Sequence, residues 1–423
     1  MGDAAPTPSS DAAWRAVVLD ESVPADVAVL RDLRADPAIT VVDRREAQEA
    51  DLAATRGARR EPGSRSSTWA FLPWRRTLVG VLGEEDFRRL RLDRNRNKIT
   101  EVEQDRLRRL RVGVVGLSVG HAVAHTLALE GLCGELRLAD PDTVEVSNLN
   151  RIPATLVDLG VDKAVVAARR IAELDPYLCT TVFPQGVTDA NLAAFLDGLD
   201  VLVDECDSLD VKVRLREEAR RRGIPVLMGT SDRGLLDVER FDLEPDRPLF
   251  HGLLGEVDST ALGALSAADK VPHVLRILGA ADLSPRLAAS MVEVGRSLTT
   301  WPQLGEDVAL GGAVIAAAVR RLGTGRELAS GRVRIDLDAG LAGLDPTTER
   351  PAAPVDDPPP ERTEPVIEHS AIAAVLEAVR RAPSGGNIQP WRVEVDAGEV
   401  RLLLDRARTT TMDVKHRGSY VAL

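Results

Sequence analysis

Residues 111–140 read RVGVVGLSVGHAVAHTLALEGLCGELRLAD, and this stretch decides the fold. It opens with an apolar run of strand length, RVGVV. A glycine turn then leads into a segment of small and aliphatic residues long enough for a helix, and a second apolar run, ELRLAD, closes it. Strand, tight turn, helix and strand in that order make one βαβ unit, which places the two strands parallel. The alternation continues downstream with a helix from about Lys163 (KAVVAARRIAEL), a strand near TTVF, a helix at 189–197 and the apolar strand DVLVDECD at 200–207. A helix at 210–222 and the strand IPVLMG at 224–229 follow. This pattern predicts an α/β protein with a Rossmann-like, doubly wound, mostly parallel sheet buried on both faces.

Upstream, residues 1–13 are small and polar and are expected to be disordered. Residues 14–92 read as a small α/β cap with two strand-then-helix patterns, starting at AVVL (16–19) and ITVVD (39–43). The segment TWAFLPWRRTLVGVL (68–82) gathers Trp69, Phe71 and Trp74, and aromatics this concentrated predict a packing interface between cap and core. The large domain is expected over 93–342. It ends in a helical C-terminal extension: 251–300 is helix-rich, VALGGAVIAAAVRRL (308–322) is a buried helix, and RVRIDL (332–337) is a short strand. Residues 343–365, with ERPAAPVDDPPPERTEP, form a Pro-rich charged linker. The last segment, 366–423, begins with a helix (AIAAVLEAVRRA) and ends with strands around RVEV and VRLLL.

Composition narrows the functional classes. Hydrophobic residues make up 44% of the chain and aromatics 3%, so aliphatic side chains carry the core. A formal charge of -12 argues against nucleic acid as the main partner, since a phosphate backbone calls for a basic face. The 3 cysteines, Cys133, Cys179 and Cys206, include no C-x-x-C pair, so neither a disulfide framework nor a zinc quartet is legible. The N-terminus lacks a signal-peptide layout, and the longest apolar run, Val308 to Val319, is too short to span a bilayer. A soluble, cytoplasmic protein with no membrane partner is expected.

The turn holding Gly116, Ser118 and Gly120 joins a strand to a helix, where backbone N–H groups and the helix dipole can hold phosphate. Ser118 and His121 stand where a dinucleotide fingerprint has its second and third glycines. Asp140, ending the next strand, lies at a suitable distance to accept from a ribose hydroxyl. Both nucleotide classes, ATP and NAD, remain open on these residues alone. The loop DPDTVEVSNLNR (140–151) then puts Asp142, Asn148 and Arg151 beside the phosphates, and Lys163 opens the following helix. A triphosphate calls for such a guanidinium and a further cation, and a nicotinamide enzyme has no evident need of them. DVLVDECDSLDVK closes a buried strand with Asp204 and Asp207 at the carboxyl edge of the sheet, where a carboxylate can hold Mg²⁺.

In order and spacing these motifs resemble the ThiF-type, ubiquitin-activating adenylyltransferase superfamily over about residues 94–240. The resemblance implies Gly116, Ser118 and Gly120 at the phosphate loop, and Asp140 and Asp142 at the ribose. It implies Asn148, Arg151 and Lys163 at the phosphates and Asp207 as the Mg²⁺-linked aspartate. The stretch DRNRNK (93–98) is similar to the segment from which an arginine reaches the neighbouring protomer's site, with Arg96 the first choice and Arg94 the second; this implies a homodimer. The expected reaction is ATP-dependent adenylylation of a carboxylate. That carboxylate is the Gly-Gly terminus of a ubiquitin-like or sulfur-carrier protein, or a small acid. The rival readings are an NAD(P)-dependent oxidoreductase and a non-catalytic nucleotide-binding scaffold. No structural zinc is expected, and Cys206 reads as a buried strand hydrophobe rather than a thioester cysteine. RRAPSGGNIQPW (380–391) resembles the start of nitroreductase-type flavin sites, with Ser384 and Asn387 as flavin contacts. The segment is expected to be partial, so FMN is expected only if that domain were complete.

Overall fold

The computed structural model describes residues 13–55, 66–344 and 391–404, apart from positions 256, 257, 292, 294–296, 299, 300, 397 and 398. The chain divides into two units, residues 1–344 and 345–423. The linker beyond Leu344, the helix expected at its end, Ser384 and Asn387 lie outside the described residues, as do positions 1–12.

The first unit begins with the cap: β1 (Val17–Asp20), α1 (Pro24–Ala35), β2 (Thr40–Asp43), α2 (Arg45–Ala54), β3 (Thr68–Leu72) and β4 (Thr77–Gly80). Its sheet runs β1-β3-β4-β2, with β2 parallel to β4 and the other pairs antiparallel. The aromatic segment splits its work. Trp69 fills the cap's own core beside Leu19, Leu30 and Leu78, under the guanidiniums of Arg34 and Arg45. Trp74 points the other way, donating from Nε1 to Glu173 at 2.6 Å, and Arg75 pairs with the same carboxylate at 2.8 Å. After α3 (Glu84–Arg91) and α4 (Glu101–Leu107), further ties join this half to the same edge of the core: Arg91 to Asp175 at 2.8 Å, and the Tyr177 hydroxyl to the Leu82 carbonyl.

The core then follows: β5 (Arg111–Val115), α5 (Gly120–Glu130), β6 (Glu135–Ala139), α6 (Lys163–Leu174), β7 (Cys179–Phe183), α7 (Leu192–Leu196), β8 (Val201–Asp204), α8 (Leu209–Arg222), β9 (Val226–Thr230) and β10 (Leu235–Glu239). Behind it come α9 (Ser259–Gly263), α10 (Ala267–Leu278), α11 (Pro285–Met291), α12 (Gly305–Gly323), β11 (Gly331–Arg334) and α13 (Leu337–Ala342). The sheet order is β11-β10-β9-β8-β5-β6-β7. The five strands from β9 to β7 are parallel, and β10 and β11 extend them antiparallel. From the central β5 the chain builds outward through β6 and β7, then crosses back to build β8 and β9 on the other side. The reversal falls between β5 and β8, and ligands of open α/β sheets bind at the carboxyl ends beside such a switch.

Both faces of the sheet are covered, which is why its strands read as continuous apolar runs. Val112, Val114, Leu136, Leu138 and Val203 pack with α5, α6 and α12 on one side. Val115, Leu202 and Val226 meet Phe195, Leu215 and Phe241 on the other. Several expected bounds shift. The helix placed at 189–197 is the single turn of α7, and the strand placed at 332–337 stops at Arg334. β10 was not expected at all: its Asp237 and Glu239 are buried, 1% and 0% exposed, an arrangement that hydropathy does not suggest.

In the second unit, β12 (Trp391–Asp396) and β13 (Glu399–Leu404) form the antiparallel pair expected there. Among the described residues no helix is long and apolar enough to cross a membrane.

Candidate active site

The site is built where β5 and β8 leave the sheet. Gly116 follows β5 at φ +85°, and a Cβ there would lie 2.4 Å from the carbonyl oxygen of Glu205, so only glycine fits between the two strand ends. At Gly120 an added Cβ would meet Val114 at 2.7 Å, which lets α5 start tight against β5. The backbone N–H groups of Ser118, Val119, Gly120 and His121 donate to nothing among the described residues. They are the unpaired donors of a helix N-terminus, where the macrodipole favours an anion. The hydroxyl of half-buried Ser118 is also without a partner among the described residues.

Asp140 holds this turn in place. Its Oδ2 accepts from the Leu117 N–H at 2.5 Å and its Oδ1 from the Asp142 N–H at 2.8 Å. Burial raises its pKa, opposed by those two N–H groups and by Lys163. Asp142 is the exposed carboxylate of the pair, and its Oδ2 lies 2.9 Å from the Lys163 ammonium. Asn148 is buried and folds the following loop by accepting the Glu145 N–H on Oδ1 at 3.0 Å. Arg151 donates from Nη1 to the Ser147 carbonyl at 3.1 Å and to Asn150 Oδ1 at 3.0 Å, but its buried Nε has no partner among the described residues. Burial lowers its pKa, and the charge of Asp207 works against that. Asp207 itself is exposed just beyond β8.

The trans-arginine candidates stand apart from this set. Arg96 pairs with Asp93 at 2.9 Å. Arg94 is exposed, and neither forms a hydrogen bond or ion pair with the phosphate-side residues of its own chain.

Next to the turn lies a cavity of about 580 Å³, outside the carboxyl ends of β8 and β9. Its walls come from the 228–234 turn, α10, α11, residues 301–310 and residues 335–338; Val119 and Asp207 form the border with the phosphate turn. The Arg151 loop abuts the same wall, since Asn150 Nδ2 donates to the Gln303 carbonyl at 2.8 Å. Of the residues expected from the sequence, only Asp207 lines the cavity.

Three features here depart from the sequence reading or escaped it. Asp204, expected at the sheet edge as a carboxylate able to hold Mg²⁺, is instead fully buried and paired with Arg216 and with Lys212, the latter at 3.2 Å. Despite burial, those two cations hold its carboxyl down to about 2. Arg216 also pairs with Glu239 beneath the Phe250 ring. Cys206 packs against the apolar cluster as a small hydrophobe but is part-exposed on the cavity wall, less enclosed than expected; its thiol donates to Asp204 Oδ1 at 3.0 Å, and burial followed by Asp204 pushes its pKa well up. Glu205 also lines the cavity, accepting the Gly229 N–H at 2.7 Å, and burial pushes it up to about 8 against the pull of Lys212. An acidic residue between Asp204 and Asp207 in an otherwise apolar strand was the available signal.

Residues 92–382 match the ThiF family. The chain belongs to the ThiF family. Residues 362–415 match the nitroreductase family, so the two matches overlap at 362–382. Among relatives of this ThiF-family chain, an uncharacterized protein of Mycobacterium tuberculosis is 51% identical over 409 residues, which is 94% of this chain and 56% of that protein. The tRNA threonylcarbamoyladenosine dehydratase of Bacillus subtilis is 30% identical over 153 residues, 36% of this chain and 60% of that protein. The sulfur carrier protein adenylyltransferase of Thermus thermophilus is 31% identical over 157 residues, 36% of this chain and 55% of that protein. The chain thus spans a little over half the length of these curated relatives. A solved structure it resembles is the Escherichia coli tRNA N6-threonylcarbamoyladenosine dehydratase in complex with ATP, at 21% identity and TM-score 0.42, covering 58% of this chain and 98% of that one.

Proposed function

We propose that this chain adenylylates a carboxylate with ATP and Mg²⁺, giving an acyl adenylate and pyrophosphate. The observation that carries this reading is the Arg151 guanidinium, part-buried, with an unpartnered Nε and no carboxylate within ion-pair distance among the described residues, set in the loop beside a turn of open N–H donors. A part-buried cation in that condition is stabilised when an anion reaches it. Lys163 stands on the next helix as a second cation, so the constellation fits a polyphosphate. The name of the Thermus relative, an adenylyltransferase, supports the same chemistry.

In this mechanism the substrate carboxylate attacks the α-phosphorus in line, a new P–O bond forms, and the bond to the leaving pyrophosphate breaks. The open N–H groups of Ser118 to His121 orient the phosphates, Lys163 and Arg151 stabilise the charge that grows on them, and Asp142 faces the ribose. Asp207, a single exposed carboxylate beside Arg151, fits the one or two protein ligands that Mg²⁺ takes when phosphates supply the rest. The metal would neutralise charge on the leaving group. Arg96 is the residue assigned to reach the site of the second protomer of a homodimer. The carboxylate arrives through the cavity, as the tail of a carrier protein or as a small acid.

ATP–pyrophosphate exchange by the full chain with Mg²⁺ tests the reading. Exchange that depends on an added carboxylate is expected. Binding of NAD with no response to ATP would overturn it in favour of a dehydrogenase, and ATP binding that never supports exchange would point to a scaffold.

A further inference from the structure

The cavity beside the phosphate turn carries an unbalanced charge. Asp207, Asp232, Glu306, Asp307 and Asp338 all line it, and none is in an ion pair among the described residues. Asp336 is already neutralised by Arg233 at 2.7 Å. Of the lining cations, Lys212 is turned to Asp204, and Arg286 alone, exposed, has no carboxylate among the described residues. Arg151 acts on Asp207 from the phosphate side. The far carboxylates crowd one another: burial raises the pKa of Asp307, and Glu306, Asp232 and Asp338 add to the rise. Like charges gathered in a recess repel, and a bound cation relieves that repulsion.

Glu205 is a second and separate sign of a ligand. It is 9% exposed and lines the cavity; Oε1 accepts the Gly229 N–H, while Oε2 has no hydrogen-bond partner among the described residues. That oxygen is not sealed in the core but presented to the cavity, where a ligand can meet it. A metal ion held by protein groups alone does not match the far end of the cavity, because among the described residues no three His, Cys, Asp or Glu side chains converge to hold one. The charge is spread along the cavity, which is also lined by Met228, Ile277, Leu287 and Leu310. Spread negative charge with aliphatic surface matches an organic cation on a hydrocarbon stem.

The geometry points to a substrate with both charges: a small carboxylic acid whose aliphatic stem carries a protonated amine, its carboxylate entering past Asp207 and its amine received by Asp232, Asp307 and Asp338. The placement of the carboxylate rests on the adenylylation reading; the amine site stands on the cavity alone.

The test is equilibrium binding to the full chain, by calorimetry in low salt, of three matched series with two- to eight-carbon stems: ω-amino acids, plain monocarboxylates and dicarboxylates. An ω-amino acid is expected to bind at least about tenfold more tightly than its monocarboxylate counterpart. That preference should shrink in Asp307→Asn and Asp232→Asn and weaken as salt rises. A series in which the amine gives no advantage, or in which dicarboxylates bind best, overturns the proposal, as does a preference that survives both substitutions. ATP titrated separately keeps the two readings distinguishable: ATP binding without amine preference removes only this inference, and amine preference without ATP binding removes only the nucleotide reading.

Discussion

The Lys163 ammonium lies 2.9 Å from Asp142 Oδ2, and the backbone N–H of Lys163 donates to the carbonyl of the same Asp142, also at 2.9 Å. One residue of the loop thus fixes both where α6 begins and where its first side chain aims. The lysine side chain is 7% exposed and the aspartate 67%, so the cation is enclosed while its partner faces solvent.

That asymmetry sets the outcome of Lys163→Ala. Asp142, released, is already wet, so no orphaned buried charge results, and the melting temperature should move by only a few degrees. Pyrophosphate exchange should fall by about 10²-fold or more, as when one preorganised charge is removed from a developing anion. Exchange at the wild-type rate in a folded variant would sink the role given to Lys163.

How much of this was legible in the sequence depends on the residue. The βαβ unit at 111–140 was plain because strand, turn and helix each followed their own pattern, and the turn residues that close it could be placed from Gly116 and Asp140 alone. What Asp140 does was not legible, because a carboxylate that tethers its own loop looks the same in sequence as one that meets a ligand. β10 escaped because Asp237 and Glu239 break its hydropathy, and their partners Arg216, Arg332 and His251 are remote in the chain. The cavity escaped for a similar reason: its walls come from five separate stretches between residues 228 and 338, and only tertiary packing brings them together.

Gly116→Ala tests the close approach of β5 and β8. The added methyl would lie 2.4 Å from the Glu205 carbonyl oxygen at a φ of +85°, so backbone must move at the point where the phosphates are held. A loss of at least about 2 kcal/mol in urea unfolding is expected, together with loss of ATP binding. An alanine variant of unchanged stability would show that the turn is not closed in this way.

Arg216 is fully buried between Asp204 and Glu239, both also 0% exposed. Arg216→Met removes the cation, leaves Glu239 buried without one and leaves Asp204 to Lys212 alone, a change that typically costs about 3–5 kcal/mol. Adding Asp204→Asn and Glu239→Gln should restore much of that loss, since neutral amides need no counter-charge. Thermal unfolding of the single and triple variants measures the difference. A triple variant no more stable than Arg216→Met would mean that packing, not charge, accounts for the loss.

Two buried groups give opposite responses of stability to pH. His121 on α5 is 0% exposed with no partner for either ring nitrogen among the described residues, and burial pushes its pKa down to about 3. The unfolded chain therefore binds a proton near pH 6.5 that the folded chain refuses, and this residue's share of stability falls as pH drops from about 6.5 toward 3, by about 2 kcal/mol at pH 5 relative to pH 7. Glu205 runs the other way: with its folded pKa raised to about 8, the folded chain keeps a proton that the unfolded chain loses above pH 4.5, so its share falls as pH rises through that interval. The whole protein sums these and other terms, and the variants separate them. Relative to wild type, His121→Leu should gain most below pH 6, whereas Glu205→Gln, which keeps an acceptor for the Gly229 N–H, should gain most from pH 6 to 8. Urea unfolding of the three proteins from pH 5 to 8 reads both slopes, and parallel curves for wild type and either variant would remove that residue from the account.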